Sequence, residues 1–323
     1  MDWSAAVDRM ELLSDGPFDL AELQKLRESI PELIHFGTSS WNYPGWQGLV
    51  YHRKYPKSGA VTKMLTEYAE FPLFGTVGID ASFYRPLSAN TYRGYREALP
   101  PGFRCVQKVW NRITIHTFTG HQDGGVAGEK NPDFLNAERC VNEVIGPALE
   151  HFRDDLGPLV FEIQTIARKD GIGPAKFAEL LDGFLAKLPA EAPYAVEIRN
   201  EEYLTPAYLA VLREHGVAHL FNSWTRMPPI GEQLAHADVI TAPFVIARAL
   251  LRPGRLYAEA VDAFAPYDRI QDPNPELRGD LTKLAERAIK LRIPAYLLIN
   301  NRAEGSAPHT VVAVARMLAE RSR

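Results

Sequence analysis

Strand-like and helix-like segments alternate along nearly the whole chain, and this alternation restricts the folds open to it more than any other feature. Eight short apolar or alternating runs read as strands: Ile34–Thr38, Thr76–Asp80, Phe103–Val109, Leu159–Gln164, Tyr194–Arg199, Ala218–Asn222, Phe244–Arg248 and Ala295–Asn300. Helical periodicity is read over Ala60–Phe71, Ala89–Ala98, Pro132–Phe152, Pro174–Leu188, Thr205–Glu214, Leu277–Leu291 and Pro308–Arg321. Only a short helix, Ile230–Ala237, separates the sixth strand from the seventh. Such a series closes into a barrel or spreads into a doubly wound sheet. The open sheet calls for a glycine-rich phosphate loop that opens a helix after the first strand. Here Gly37–Gly45 carries aromatics and a proline instead. With no composition break or linker, the expectation is a single (β/α)8 TIM-type barrel over residues 32–323. An N-terminal helical extension over residues 1–31 precedes it, with Leu20, Leu23, Leu26 and Ile30 on one face and Pro31 closing it.

The fifth strand shows where a site would lie. In Ala-Val-Glu-Ile-Arg-Asn, residues 195–200, side-chain alternation puts Val196 and Ile198 on one face and Glu197 and Arg199 on the other. The apolar face can pack under helices, whereas the charged face must be solvated, paired or used. In a barrel, polar residues at the C-terminal strand ends converge on one mouth. Around that mouth the chain offers Ser39, Asp80, Lys108, Glu197, Arg199, Asn222, Arg248 and Asn301. Asp80 and Glu197 form a general acid/base pair in this reading, with Lys108 and Arg199 binding or polarising negative charge. The opposing reading is a set of interior ion pairs, Glu197–Arg199 and Asp80–Lys108, that fills the barrel.

Several motifs together resemble the YecE-like family, a domain of unknown function. They are Gly37-Thr-Ser-Ser-Trp-Asn-Tyr-Pro-Gly-Trp46, Ile79-Asp-Ala-Ser-Phe-Tyr84, the strand ending at Lys108, Val196-Glu-Ile-Arg-Asn200 and Asn300-Asn-Arg-Ala-Glu-Gly-Ser-Ala-Pro308. The resemblance runs from about Phe36 to the C-terminus and implies a TIM-type barrel, without supplying a reaction. The chain departs from the family pattern at Gly78, where relatives carry an acid, and at Asp80, where they carry Asn. It departs again at Asn200, often His in relatives, and at Glu162–Thr165, in place of a Gln-Leu-Pro-Pro run.

Two further groups of residues point to ligand contact. The last strand runs into Asn300, Asn301 and Arg302, and Ser306 is placed to cap the final helix with Pro308 in its first turn. A helix N-terminus at this position suits an anion, and Arg248 and Arg302 would lie beside it. Among the aromatics near strand ends, Trp41 and Trp224 are the ones expected on a ligand, while Trp46 and Tyr84 are expected to close the rim.

Other chemistries find less support. The histidines lack metal-ligand spacing: His116 and His121 read as solvated loop residues, and His35, His215 and His219 as core or surface, so no metal or cofactor is expected. No nucleophile elbow occurs, and Cys105 and Cys140 read as reduced structural thiols. A net charge of −4 argues against sequence-independent nucleic-acid binding, and no apolar run is long enough to span a membrane. With no signal-peptide pattern at Met1–Gly16, a cytoplasmic protein is expected. The functional expectation is a metal-independent barrel enzyme acting by acid/base chemistry on an anionic sugar- or nucleotide-like small molecule. The competing readings are a nucleic-acid-binding barrel, which is not favoured, and a non-catalytic ligand-binding scaffold.

Overall fold

The computed structural model describes residues 17–56, 58–120, 125–255 and 257–321. The readings at Met1–Gly16 and His121 lie outside the described residues. Eight parallel strands pair in chain order and the first closes on the last. They are β1 (Ile34–Thr38), β2 (Phe74–Ile79), β3 (Arg104–Lys108), β4 (Leu156–Glu162), β5 (Tyr194–Glu197), β6 (Ala218–Ser223), β7 (Val245–Ala249) and β8 (Ala295–Ile299). Parallel neighbours require crossovers on the outside of the sheet. These are made by α2 (Val61–Ala69), α3 (Ala89–Ala98), α4 (137–152), α5 (Pro174–Leu185), α6 (Pro206–Glu214), α7 (Ile230–Leu234), α8 (Tyr257–Phe264) and α9 (Pro275–Leu291), and α10 (Ala307–Arg321) follows β8. The fold is the expected (β/α)8 barrel.

The helices start where local chemistry tells them to. Ser88, Asn136, Thr205 and Asn274 each accept a hydrogen bond from a backbone N–H of the first turn they precede. Pro206 and Pro275 follow two of these caps at a position whose N–H has no helical partner to lose. Along the strands, alternate residues point to different cores. Val106, Val160, Ala195, Leu220, Ile246 and Leu298 fill the barrel interior. Their neighbours Phe161, Val196, Phe221 and Leu297 belong to the outer core under the helices. Continuing the inner rows by two residues turns Lys108, Glu162, Glu197, Asn222 and Arg248 toward the mouth.

Several boundaries differ from the sequence expectation. The fourth strand begins at Leu156, not Leu159, because Gly157–Pro158 sits at a register irregularity opposite β3, where the missing proline N–H is tolerated. The fifth ends at Glu197, leaving Arg199 just beyond it. The helix expected from Pro132 starts at Ala137 and contains a π-helical turn over Val141–Ile145. In the N-terminal extension, α1 (Leu20–Glu28) buries Leu23 and packs along α10, while Leu20 is 43% exposed. Among the described residues no helix is long and apolar enough to cross a membrane.

Candidate active site

Three cations and three carboxylates meet at the top of the barrel interior. Glu162, at the end of β4, is the hub: its carboxylate lies 3.1 Å from Lys108 Nζ, 3.3 Å from Arg199 Nη2 and 2.6 Å from Arg248 Nη1. Glu197 pairs with Arg199 at 2.6 Å and accepts a short hydrogen bond from Arg248. Asp80 closes the ring at 3.1 Å from Lys108 and 3.9 Å from Arg248. The six formal charges cancel, which is what allows such a group to leave water at all. Burial opposes the ionisation of Glu162, but Lys108, Arg199 and Arg248 overcome it and hold the carboxyl well below the usual range. Burial works against the Arg248 charge too, yet Glu197, Glu162 and Asp80 raise it above its already high value.

The network is closed on one side and open on the other. Trp224 lies under Arg199, whose guanidinium carbon is 4.0 Å from the ring centroid. A small apolar cluster of Leu251, Ala260 and Phe264 packs against that indole. The same chain segment continues across β8 and β1, where Tyr267 meets the edge of Tyr43 at 5.7 Å and Pro266 abuts Gly45. Over β3 the cover is thinner: the Phe83 ring lies 4.8 Å from Lys108 Nζ. Glu197, Glu162, Arg199 and Arg248 are buried, whereas Lys108 is 13% and Asp80 is 30% exposed at the side chain. Asp80 also borders a cleft of about 790 Å³ between the β1 loop and α3.

The sequence pattern of the family described as "Protein of unknown function DUF72" matches residues 35–323. This chain belongs to the DUF72 family. Two crystal structures of DUF72 family proteins share its fold. One from Enterococcus faecalis V583 is 16% identical, with a TM-score of 0.57 over 88% of this chain and 97% of its own. One from Thermotoga maritima MSB8 is 16% identical, with a TM-score of 0.54 over 90% of this chain and 99% of its own. No curated protein matches the chain.

In this DUF72 chain, Gly78 is sterically closed to any side chain. A Cβ at Gly78 would lie 2.5 Å from the Ser39 carbonyl oxygen, so β2 and the end of β1 approach more closely than any side chain permits. The hub carboxylate is Glu162, which the sequence reading left out of the site. The signal was available: Glu162 is the last residue of β4 and has the same inward parity as Val160.

The structure gathers Asp80, Lys108, Glu197, Arg199, Asn222 and Arg248, and separates them from the β8 group. Asn222 is buried between its strand neighbours, its Nδ2 donating to Ile198 O at 3.1 Å and its Oδ1 unpartnered. Arg199 Nη1 is likewise buried without a hydrogen-bond acceptor. Ser39 is buried with an unpartnered Oγ. Arg248 was expected beside Arg302, but its guanidinium is drawn into the carboxylates of the mouth.

The turn after β8 is filled from within. Asn301 Oδ1 accepts from Ala307 N at 2.9 Å and from Trp46 Nε1 at 3.3 Å, which occupies the start of α10. Ser306 is fully buried and hydrogen-bonds His309 at 2.9 Å, while Asn300 Oδ1 accepts from Arg302 N at 3.0 Å. Glu304, also fully buried, holds Arg278 in two contacts of 2.9 and 3.0 Å. Arg302 itself is half-buried.

Among the aromatics, Trp46 closes the rim as expected, but Tyr84 is 68% exposed. Trp41 is buried, donates from Nε1 to Val61 O at 2.8 Å and forms a wall of the cleft beside Asp80. His116 is not simply solvated: its Nδ1 lies 2.9 Å from Thr117 Oγ1 and 3.6 Å from Asp170. Both cysteines are free and buried, and burial pushes Cys140 up to about 12, so neither supplies a thiolate. Among the described residues, no three His, Cys, Asp or Glu side chains gather in a metal-binding set. At the mouth, cations interleave the carboxylates.

Proposed function

We propose that this chain is an acid/base enzyme acting on a small anionic molecule that enters over Asp80. The observation that carries this reading is the unequal treatment of the carboxylates. Glu162 is clamped ionised by three cations and shut from solvent, whereas Asp80 has one close cation and an opening to the cleft. A pair of carboxylates in such different surroundings divides its roles: one fixes charge and geometry, the other exchanges protons. Asp80 is therefore the proton-transferring group. Lys108, shared between Asp80 and Glu162, is the cation that meets the negative charge of the substrate. Glu162, Glu197, Arg199 and Arg248 form the rigid frame that positions Lys108. In this reading the substrate's anionic group replaces Asp80 as a partner of Lys108, freeing the carboxylate to take or give a proton.

One observation favours a second reading, a non-catalytic ligand-binding scaffold: four of the six charged side chains are buried and mutually paired. The two readings separate in a depletion experiment. A small-molecule cell extract is incubated with the wild-type protein, Asp80→Asn or Lys108→Met and followed by mass spectrometry. An enzyme of the proposed kind depletes a compound in the wild-type sample, and either substitution slows that by about 10²-fold or more. Equal depletion by all three proteins, or none by any, overturns the acid/base reading.

A further inference from the structure

The cleft beside Asp80 is too large and too particular in lining to be packing slack. Its volume of about 790 Å³ falls in the range of small-molecule sites. It runs between α2, α3 and the loop after β1. Trp41 and Tyr95 stand edge to face at 5.3 Å on its inner side, both buried and both presenting hydrocarbon. The outer walls carry Asn42, Asn90, Thr62 and Thr91, uncharged side chains with donors and acceptors in close succession. The cleft has charge only at its ends, in Asp80 at the mouth of the barrel and Arg85 at the outer rim.

One glycine keeps this space open. Gly94 lies inside α3 and borders the cleft. Glycine is the poorest helix former after proline, and packing does not require it here. A Cβ at Gly94 would have only Thr62 Cγ2 nearby, at an ordinary contact distance of 3.4 Å. Its missing side chain leaves the cleft wide at the level of Tyr95.

We propose that this cleft is a sugar subsite: it takes the uncharged, polyhydroxylated ring of the substrate, with hydroxyls on the amide and hydroxyl side chains and a C–H face on Trp41 and Tyr95. The lining fits this class better than a nucleobase or a bare anion. Vicinal hydroxyls need alternating uncharged donors and acceptors over an apolar floor, whereas a bare anion would call for cations along the walls. The inference deepens the acid/base reading and rests on it for the placement of the reacting group at Asp80.

The test is saturation-transfer NMR with a panel of neutral hexoses, their 6-phosphates and inorganic phosphate, on the wild-type protein and Gly94→Leu. At least one hexose or hexose phosphate is expected to bind, and the leucine is expected to weaken it tenfold or more by filling the cleft. Should Gly94→Leu fail to fold, Asn90→Ala on the exposed wall is expected to weaken the same sugar three- to tenfold. Binding of inorganic phosphate alone, or sugar binding indifferent to both substitutions, overturns the subsite. The two readings fail separately. If Gly94→Leu leaves sugar contact and extract depletion intact while Asp80→Asn stops depletion, the subsite falls and the acid/base reading stands. If Gly94→Leu abolishes sugar binding while no protein depletes anything, the acid/base reading falls and the subsite stands.

Discussion

Glu162 does at the residue scale what no other side chain among the described residues does: it neutralises parts of three cations at once. Replacing it with glutamine leaves its volume and removes its charge, so three cations, two of them buried, face two carboxylates. The expected loss is about 3–5 kcal/mol, the usual effect of stranding a buried charge. Chemical denaturation at neutral pH measures it. Adding Lys108→Met to Glu162→Gln restores neutrality and is expected to recover part of the loss, a coupling that a double-mutant cycle reads directly. The acid limb follows with its sign. Because the folded-state carboxyl is held below its ordinary value of 4.5, its contribution is complete above that pH and is lost as the pH falls through the folded value. Glu162→Gln should therefore lose less stability than the wild type between pH 7 and pH 3. An unchanged acid limb would remove Glu162 as the hub.

Among the elements, β6 is tied to its surroundings by a buried polar chain. His219 Nε2 lies 3.3 Å from Gln233 Oε1, and the Gln233 side chain donates to Asn222 O at 2.7 Å and accepts from Asn222 N at 3.3 Å. Through α7, then, an imidazole beneath the strand helps to hold the backbone of a mouth residue. Burial lowers His219 from 6.5 to about 4. The unfolded chain thus binds a proton that the folded chain refuses between these values, and stability rises with pH across the window. Lowering the pH from 7 to 4.5 is expected to cost on the order of 2–3 kcal/mol through this group. His219→Gln, measured by denaturation at both pH values, should flatten that slope; the same slope in the variant would reassign it to another group. Sequence alternation placed His219 in or near a core, but its link to Asn222 passes through Gln233 of α7, 11 residues beyond Asn222. No local pattern announces that.

For the whole molecule, barrel closure makes the mouth one site out of strands far apart in the chain. The parity of each strand end was readable, and Lys108, Glu197, Arg199, Asn222 and Arg248 do meet where alternation put them. Their pairing was not readable. Glu197 sits opposite Glu162 in the β4–β5 register, so the charge of one strand end is set against that of the next. The extension that precedes the barrel contributes on this scale as well. Leu23 is buried against the outer core, while the Glu22–Arg316 pair at 2.8 Å is exposed and worth little. Deleting residues 1–28 should lower the melting temperature by a few degrees and leave the circular dichroism of the barrel intact. Collapse of the barrel signal would show that α1 is part of the folding unit.

What the amino-acid order determined by itself is local: the alternation of strands and helices, their caps, and the inward parity of each strand end. Those depend on periods of a few residues, and they suffice for a closed barrel with a polar mouth. Which charges pair, that Asn301 fills the start of α10, that one segment roofs β6, β8 and β1, and that Asp80 stays open beside a cleft were decided by the tertiary structure. Each of these depends on distances between residues tens to hundreds of positions apart, which exist only once the sheet has closed and its register has been set.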